Sequence, residues 1–150
     1  MTPEELWIRY KQEYPESPNT YTAWSFGDSV EMANTLLELV LSGRKTATSC
    51  NYTLAQQQGE ELPEVGQMNI VLDGHGEAKG IIRTTHIEVV PFHKVTERFA
   101  RLEGEGDLSL QHWQKEHEVF FTREWMEAGG TFSPDMLVFC EVFQLVYGED

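Results

Sequence analysis

Residues 66–90 read GQMNIVLDGHGEAKGIIRTTHIEVV, and their patterning decides the fold class. Gly66–Leu72 is a short apolar strand, and Asp73-Gly74-His75-Gly76 carries the turn chemistry of a hairpin. Ala78–Val90 then returns as a long β segment in which Ile81, Ile82, Thr84, Thr85, Ile87, Val89 and Val90 are all branched at Cβ. A turn this short forces antiparallel pairing, because parallel neighbours need a long crossover.

On the N-terminal side, Thr46–Tyr52 reads as a short strand and Ser29–Leu41 as a helix. Asp28 and Glu31 form a capping-box-like pair, and Met32, Leu36, Leu37, Val40 and Leu41 supply an apolar stripe. Gly43 stands where a left-handed residue stops the helix. Glu16–Thr22 is a polar loop, and Thr2–Tyr14 a short amphipathic helix ended by Tyr14–Pro15. Downstream, Thr96–Glu103 is helical with Thr96 as N-cap. Leu108–Ala128 is a longer helix with Trp113, His117, Phe120, Phe121 and Trp125 on its inner side, stopped by Gly129-Gly130. Met136–Tyr147 is nearly continuously apolar, as in a central strand covered on both faces. The expected order is α, α, β, β-hairpin, α, α, β, an α+β pattern without βαβ alternation.

The chain has 150 residues with 11 Lys plus Arg against 25 Asp plus Glu, a net charge of −14. At 40% hydrophobic and 11% aromatic it has material for a core, and we expect one domain over residues 1–150. The acidity argues against gripping double-stranded DNA or anionic lipid. No apolar run is long enough for a membrane helix, and MTPEELWIRY lacks the apolar stretch of a signal peptide. The expected location is cytoplasmic, with Cys50 and Cys140 reduced. Neither GxGxxG nor GxxxxGK[ST] occurs, which removes the usual phosphate cradles. No cofactor or metal is expected.

The densest polar cluster is Ser42-Gly43-Arg44-Lys45-Thr46-Ala47-Thr48-Ser49-Cys50. Arg44-Lys45 reverses the local charge, either as cations answering the helix dipole or as donors to a ligand. Arg101-Leu102-Glu103-Gly104-Glu105-Gly106-Asp107 is an acidic turn. It serves as the acidic start of the next helix, with Asp107 or Ser109 capping it, or as a general acid/base or weak metal site. His112 and His117 do not share the spacing of a zinc motif, and the remaining histidines read as structural or solvated.

Gly43-Arg44-Lys45-Thr46-Ala47-Thr48 resembles the G-x-K-x-x-[ST] signature of ASCH domains. Trp24-Ser25-Phe26-Gly27-Asp28, Ile82-Arg83-Thr84-Thr85, the run from Val95 to Asp107, Phe132–Met136 and Cys140-Glu141 are similar to one bacterial branch of that family. The resemblance implies a PUA-like β-barrel with flanking helices, and a pocket for RNA or a nucleoside. Some relatives are amidohydrolases that deacetylate N4-acetylcytidine, and others are similar to ribonucleases acting on single-stranded RNA. In the amidohydrolases a Lys, a Thr three residues later and a downstream Glu carry the reaction, which implies Lys45, Thr48 and Glu103 here. Those enzymes are shorter and do not share the long aromatic helix after Glu103.

In chemical terms, Thr48 can attack an acyl carbon if a base takes its proton, and Glu103 suits that role better than lysine. Lys45 then stabilises the oxyanion. Trp24 and Phe26 are either a stacking wall for a base or core. Arg44, Arg83, Arg123 and Ser133 complete the candidate substrate contacts. The expected ligand is a small nucleoside or single-stranded RNA, with hydrolysis of an acylated pyrimidine nucleoside ahead of a nuclease or a non-catalytic RNA-binding module. A metal-assisted nuclease would use Glu103, Glu105 and Asp107.

Overall fold

In a computed structural model, which describes residues 1–148, the chain forms two compact units interleaved along the sequence. The first comprises Met1–Thr46, Pro63–His86 and the chain from Phe143; the second comprises Ala47–Leu62 and Ile87–Val142. The elements are α1 (Pro3–Glu13), β1 (Thr22–Ser25), α2 (Val30–Leu41), β2 (Ala47–Asn51), α3 (Tyr52–Gln57), β3 (Met68–Leu72), β4 (Ala78–Pro91), α4 (Glu97–Glu103), α5 (Leu110–Glu127) and β5 (Leu137–Gly148). A single 3-10 turn, Phe92–Lys94, follows β4. The strand order is β1-β3-β4-β5-β2, with β4 and β5 contributing to both units. The sheet is mixed: β1 is parallel to β3, while β3–β4 and β2–β5 are antiparallel. This is the expected α+β class.

In the first unit the hairpin forms as its turn chemistry predicts. Asp73 N donates to the Glu77 carbonyl, and Asp73 Oδ1 accepts from His75 N and Glu77 N. α1 is closed at its start by a reciprocal capping box between Thr2 and Glu5. Leu6, Trp7 and Tyr10 pack with Met68, Ile70, Ala78 and Ile81. A second cluster joins Phe26, Leu37, Val40, Val71, Ile82 and Phe143.

Two local expectations need correction here. The N-cap of α2 is Ser29, whose Oγ accepts from Met32 N at 3.1 Å, and not Asp28. Its buried face is accordingly Ala33, Leu37 and Val40, spaced i, i+4, i+7, leaving Met32 43% exposed. β1 begins at Thr22, where only a loop was expected, and is held as an edge strand against β3. Gly43 has φ +84°, the left-handed geometry expected after the helix.

In the second unit α4 and α5 are capped by Thr96 and Ser109. Their core joins Phe92, Val95, Ala100, Trp113, Phe121, Val138 and Cys140. α3 is an addition to the expected order. Asn51 ends β2 and caps α3, its Oδ1 accepting from Leu54 N at 3.1 Å. Among the described residues, no helix is long and apolar enough to cross a membrane.

Candidate functional site

β2 delivers the polar residues of the second unit, and its register with β5 assigns them to faces. Thr48 stands opposite Glu141 and Cys50 opposite Phe139, while Ser49 pairs with Cys140 and Asn51 with Val138. Because side chains alternate along a strand, Ser49 and Asn51 share one face, and Thr48 and Cys50 the other.

Glu103 is the last residue of α4, where Gly104 at φ +73° ends the helix. Its side chain is buried, the residue being only 2% exposed. Ser49 Oγ donates to Glu103 Oε2 at 2.7 Å, and Trp113 Nε1 donates to the same oxygen at 2.7 Å. His117 Nε2 lies 3.5 Å from that oxygen. The other ring nitrogen, Nδ1, is 2.9 Å from the Trp113 carbonyl, which only accepts, so Nδ1 carries the hydrogen. The His117 ring stacks on Trp113 at 4.1 Å with an interplanar angle of 14°. One carboxylate oxygen therefore accepts from a hydroxyl and an indole N–H, with an imidazole nitrogen 3.5 Å away. Two donors keep the buried carboxylate satisfied, and the hydroxyl among them is within reach for proton transfer.

The other expected residues are distributed as follows. Lys45 is 1% exposed, and its Nζ lies 5.7 Å from the centre of the Phe26 ring, in the first unit. An ammonium buried to this degree is rare among lysines. Phe26 is a core residue of that unit. Trp24 is half-buried, meets Phe26 edge-on at 4.7 Å, and donates from Nε1 to Asn69 Oδ1 at 3.2 Å. Arg44 is exposed. Arg83 is also exposed and donates to Gln144 Oε1 at 3.2 Å. Arg123 lies on the outer side of α5, in a groove with Val119, Thr122 and Met126. Ser133 is exposed, and its Oγ accepts from Asp135 N at 3.2 Å, closing a local turn.

In the acidic turn, Glu103 and Asp107 have separate tasks. Asp107 is exposed and accepts from Ser109 Oγ at 2.6 Å and Ser109 N at 3.0 Å. These two bonds hold its carboxyl below the usual carboxylate range. Among the described residues, no three His, Cys, Asp or Glu side chains are grouped to hold a metal ion, Glu103, Glu105 and Asp107 included.

The sequence reading did not single out Ser49, Trp113 or His117 as partners of Glu103. Trp113 and His117 were visible as an i, i+4 pair, but their aromatic character read as core. Both cysteines are free. Burial, reinforced by nearby carboxylates, pushes the Cys50 and Cys140 thiols up to about 12.

The model of the ASCH domain matches residues 22–147 of this chain. A crystal structure of a protein from Enterococcus faecalis V583 is similar at 40% identity and a TM-score of 0.87, covering 97% of this chain and 88% of that one. A crystal structure of an ASCH domain from Lactobacillus crispatus JV V101 is similar at 33% identity and a TM-score of 0.86, covering 97% and 96%. No curated protein matches the chain. A family match over most of the chain, together with these two likenesses over nearly all of it, carries one conclusion: the chain belongs to the ASCH domain family.

Proposed function

We propose that this protein is a cytoplasmic hydrolase that removes an acyl group from a modified pyrimidine nucleoside of the N4-acetylcytidine type. The observation that carries the reading is the Glu103 carboxylate, buried and in direct hydrogen bond with the Ser49 hydroxyl at 2.7 Å. A carboxylate so placed can take the proton of a hydroxyl nucleophile as it attacks an acyl carbon. In this reading the new ester O–C bond forms as the N4–C amide bond breaks. The proton held by Glu103 passes to the departing exocyclic nitrogen. Water then cleaves the ester to release acetate and restore the hydroxyl. His117, beside the same carboxylate oxygen, offers a second stop for that proton.

Ser49 is the hydroxyl already aimed at Glu103, and Thr48 is the one the family resemblance favours. Lys45 takes the role of the cation that stabilises the oxyanion. Its burial supports this, since a desolvated ammonium acts more strongly on developing charge than a hydrated one.

The test is incubation with N4-acetylcytidine and, separately, with single-stranded RNA, each with and without EDTA. The expected result is cytidine and acetate, unaffected by the chelator and sharply reduced in Glu103→Ala and Lys45→Ala. Cleavage of RNA without deacetylation of the nucleoside would overturn the reading. So would absence of product from a folded protein.

A further inference from the structure

Trp113 is 3% exposed, and the groups around Glu103 converge on it. Its indole Nε1 donates to Glu103 Oε2 at 2.7 Å, which joins α5 to the last residue of α4 across the turn between them. Its backbone carbonyl accepts from His117 Nδ1 at 2.9 Å, and its ring carries the His117 ring at 4.1 Å in a near-parallel stack. These last two contacts follow from helix geometry, because residues four apart lie one above the other on one face of α5.

The indole is fixed in its plane. Besides His117, Phe92 packs against it with ring centres 5.4 Å apart, and Phe99 meets it edge-on at 6.5 Å. Val95, Val138 and Cys140 complete the same core cluster. The Glu103 carboxylate has no such rigidity of its own, because the last torsion of a glutamate is broad and roughly two-fold. Its partners therefore set its plane. Ser49 is the mobile one, a half-buried residue whose hydroxyl rotates and can accept as well as donate. An indole N–H only donates, so Trp113 is the partner that keeps its bond to Oε2 whatever the hydroxyl does.

We propose that Trp113 is the positioning residue of this site, its indole N–H holding the Glu103 carboxylate in the plane that presents Oε2 to the Ser49 hydroxyl. Trp113 touches no reacting atom and acts through Glu103. As the Ser49 O–H bond breaks and the proton settles on Oε2, the indole bond stays on that oxygen and the carboxyl does not swing. A ring without the N–H would fill the same core and release the carboxylate to turn about its last torsion. Misplacing a catalytic group by about 1 Å costs a rate factor on the order of 10², so the loss falls on the chemical step and not on binding. The inference rests on the hydrolase reading for the reaction, while the hold on Glu103 is measurable without turnover.

The test compares the wild type with Trp113→Phe, which keeps a ring and the backbone carbonyl, and with Val95→Ala, which opens the same core and removes no polar group. With N4-acetylcytidine, Trp113→Phe should lower kcat by about tenfold or more with KM within about twofold. Val95→Ala should lower Tm and leave both constants unchanged. Proton–nitrogen NMR supplies the measurement that needs no turnover. Of the four tryptophan indole resonances, the one that disappears in Trp113→Phe should move upfield in Glu103→Gln by about 0.5 ppm or more, because a neutral amide replaces a charged acceptor. Wild-type kcat in Trp113→Phe, an equal loss of kcat in Val95→Ala, or an indole resonance unmoved in Glu103→Gln would each overturn the positioning role. Should Trp113→Phe not fold, the Glu103→Gln spectrum decides, with Trp113 assigned through its contacts to His117. If that resonance moves while the wild type leaves N4-acetylcytidine intact, the hold on Glu103 stands and the hydrolase reading falls. If deacetylation proceeds at the same kcat in Trp113→Phe, the outcome is the reverse.

Discussion

Glu103 and Glu124 are both sheltered carboxylates on the helices of one unit, and they are built in opposite ways. Glu103 gathers Ser49, Trp113 and His117 around a single oxygen. Glu124 has an oxygen with no partner and the like charges of Glu60 and Glu127 beside it. Burial alone therefore does not define a carboxylate's task. Donors in place make a group ready to exchange a proton with a bound hydroxyl, whereas burial beside like charges raises a carboxyl toward its neutral form.

The largest expected effect is at Glu103. Glu103→Ala strands the Trp113 indole N–H and the Ser49 hydroxyl, at about 1–3 kcal/mol for each group left bare. Urea unfolding should show that loss, and turnover of N4-acetylcytidine should fall by a factor on the order of 10² to 10⁴. Glu103→Gln should recover much of the stability and little of the turnover. Equal turnover in all three proteins would erase the contrast with Glu124.

The two hydroxyls of β2 come next. Ser49→Ala is expected to reduce kcat by a factor on the order of 10² or more, and Thr48→Ala by less, because only Ser49 is bonded to the base. The opposite ranking would return the nucleophile to Thr48.

Glu124 gives a smaller effect of opposite sign. Its carboxyl rises from 4.5 to about 7 in the folded chain, so the folded state holds more protons than the unfolded state between those values. Stability contributed by this group therefore falls as pH rises through that window. Glu124→Gln should raise Tm relative to the wild type at pH 8 and leave it unchanged near pH 4. A Tm difference that does not vary with pH would place the carboxyl in ordinary solvent.

The smallest effect is at Asp107, the solvated reference for the other two. Its lowered carboxyl stabilises the folded chain above the usual carboxylate range, and that contribution is lost as pH falls through it. Asp107→Asn should lower Tm slightly at pH 7, with no change at pH 2 and no change in turnover.

Where the sequence was legible, the reason is periodicity or cap chemistry with one dominant solution. The hairpin turn at Asp73–Gly76, the N-cap at Thr96 and the left-handed Gly43 are of this kind, whereas the cap of α5 stood open between Asp107 and Ser109 until the structure placed it at Ser109. β1 was hidden because Thr22–Ser25 is short and gains its partner only from β3, far along the chain. α3 was hidden because a helix from Tyr52 to Gln57 is too short to show a period, and its cap is the last residue of a strand. At the candidate site, Glu103 was visible through family resemblance, while Ser49 was overlooked beside Thr48. Strand register decides which of two adjacent hydroxyls meets a given group, and register is a property of the partner strand.

The two raised thiols give unit two a built-in clock. Alkylating reagents attack the thiolate, which is scarce at neutral pH when a thiol titrates near 12. Cys140, inside the core beside Val138 and Trp113, should be labelled only as fast as that core opens. Cys50, partly exposed on the other face of β2, should report the fraying of the strand itself. Mass spectrometry of time-resolved alkylation would then read two depths of unfolding from one native sequence, without any introduced probe.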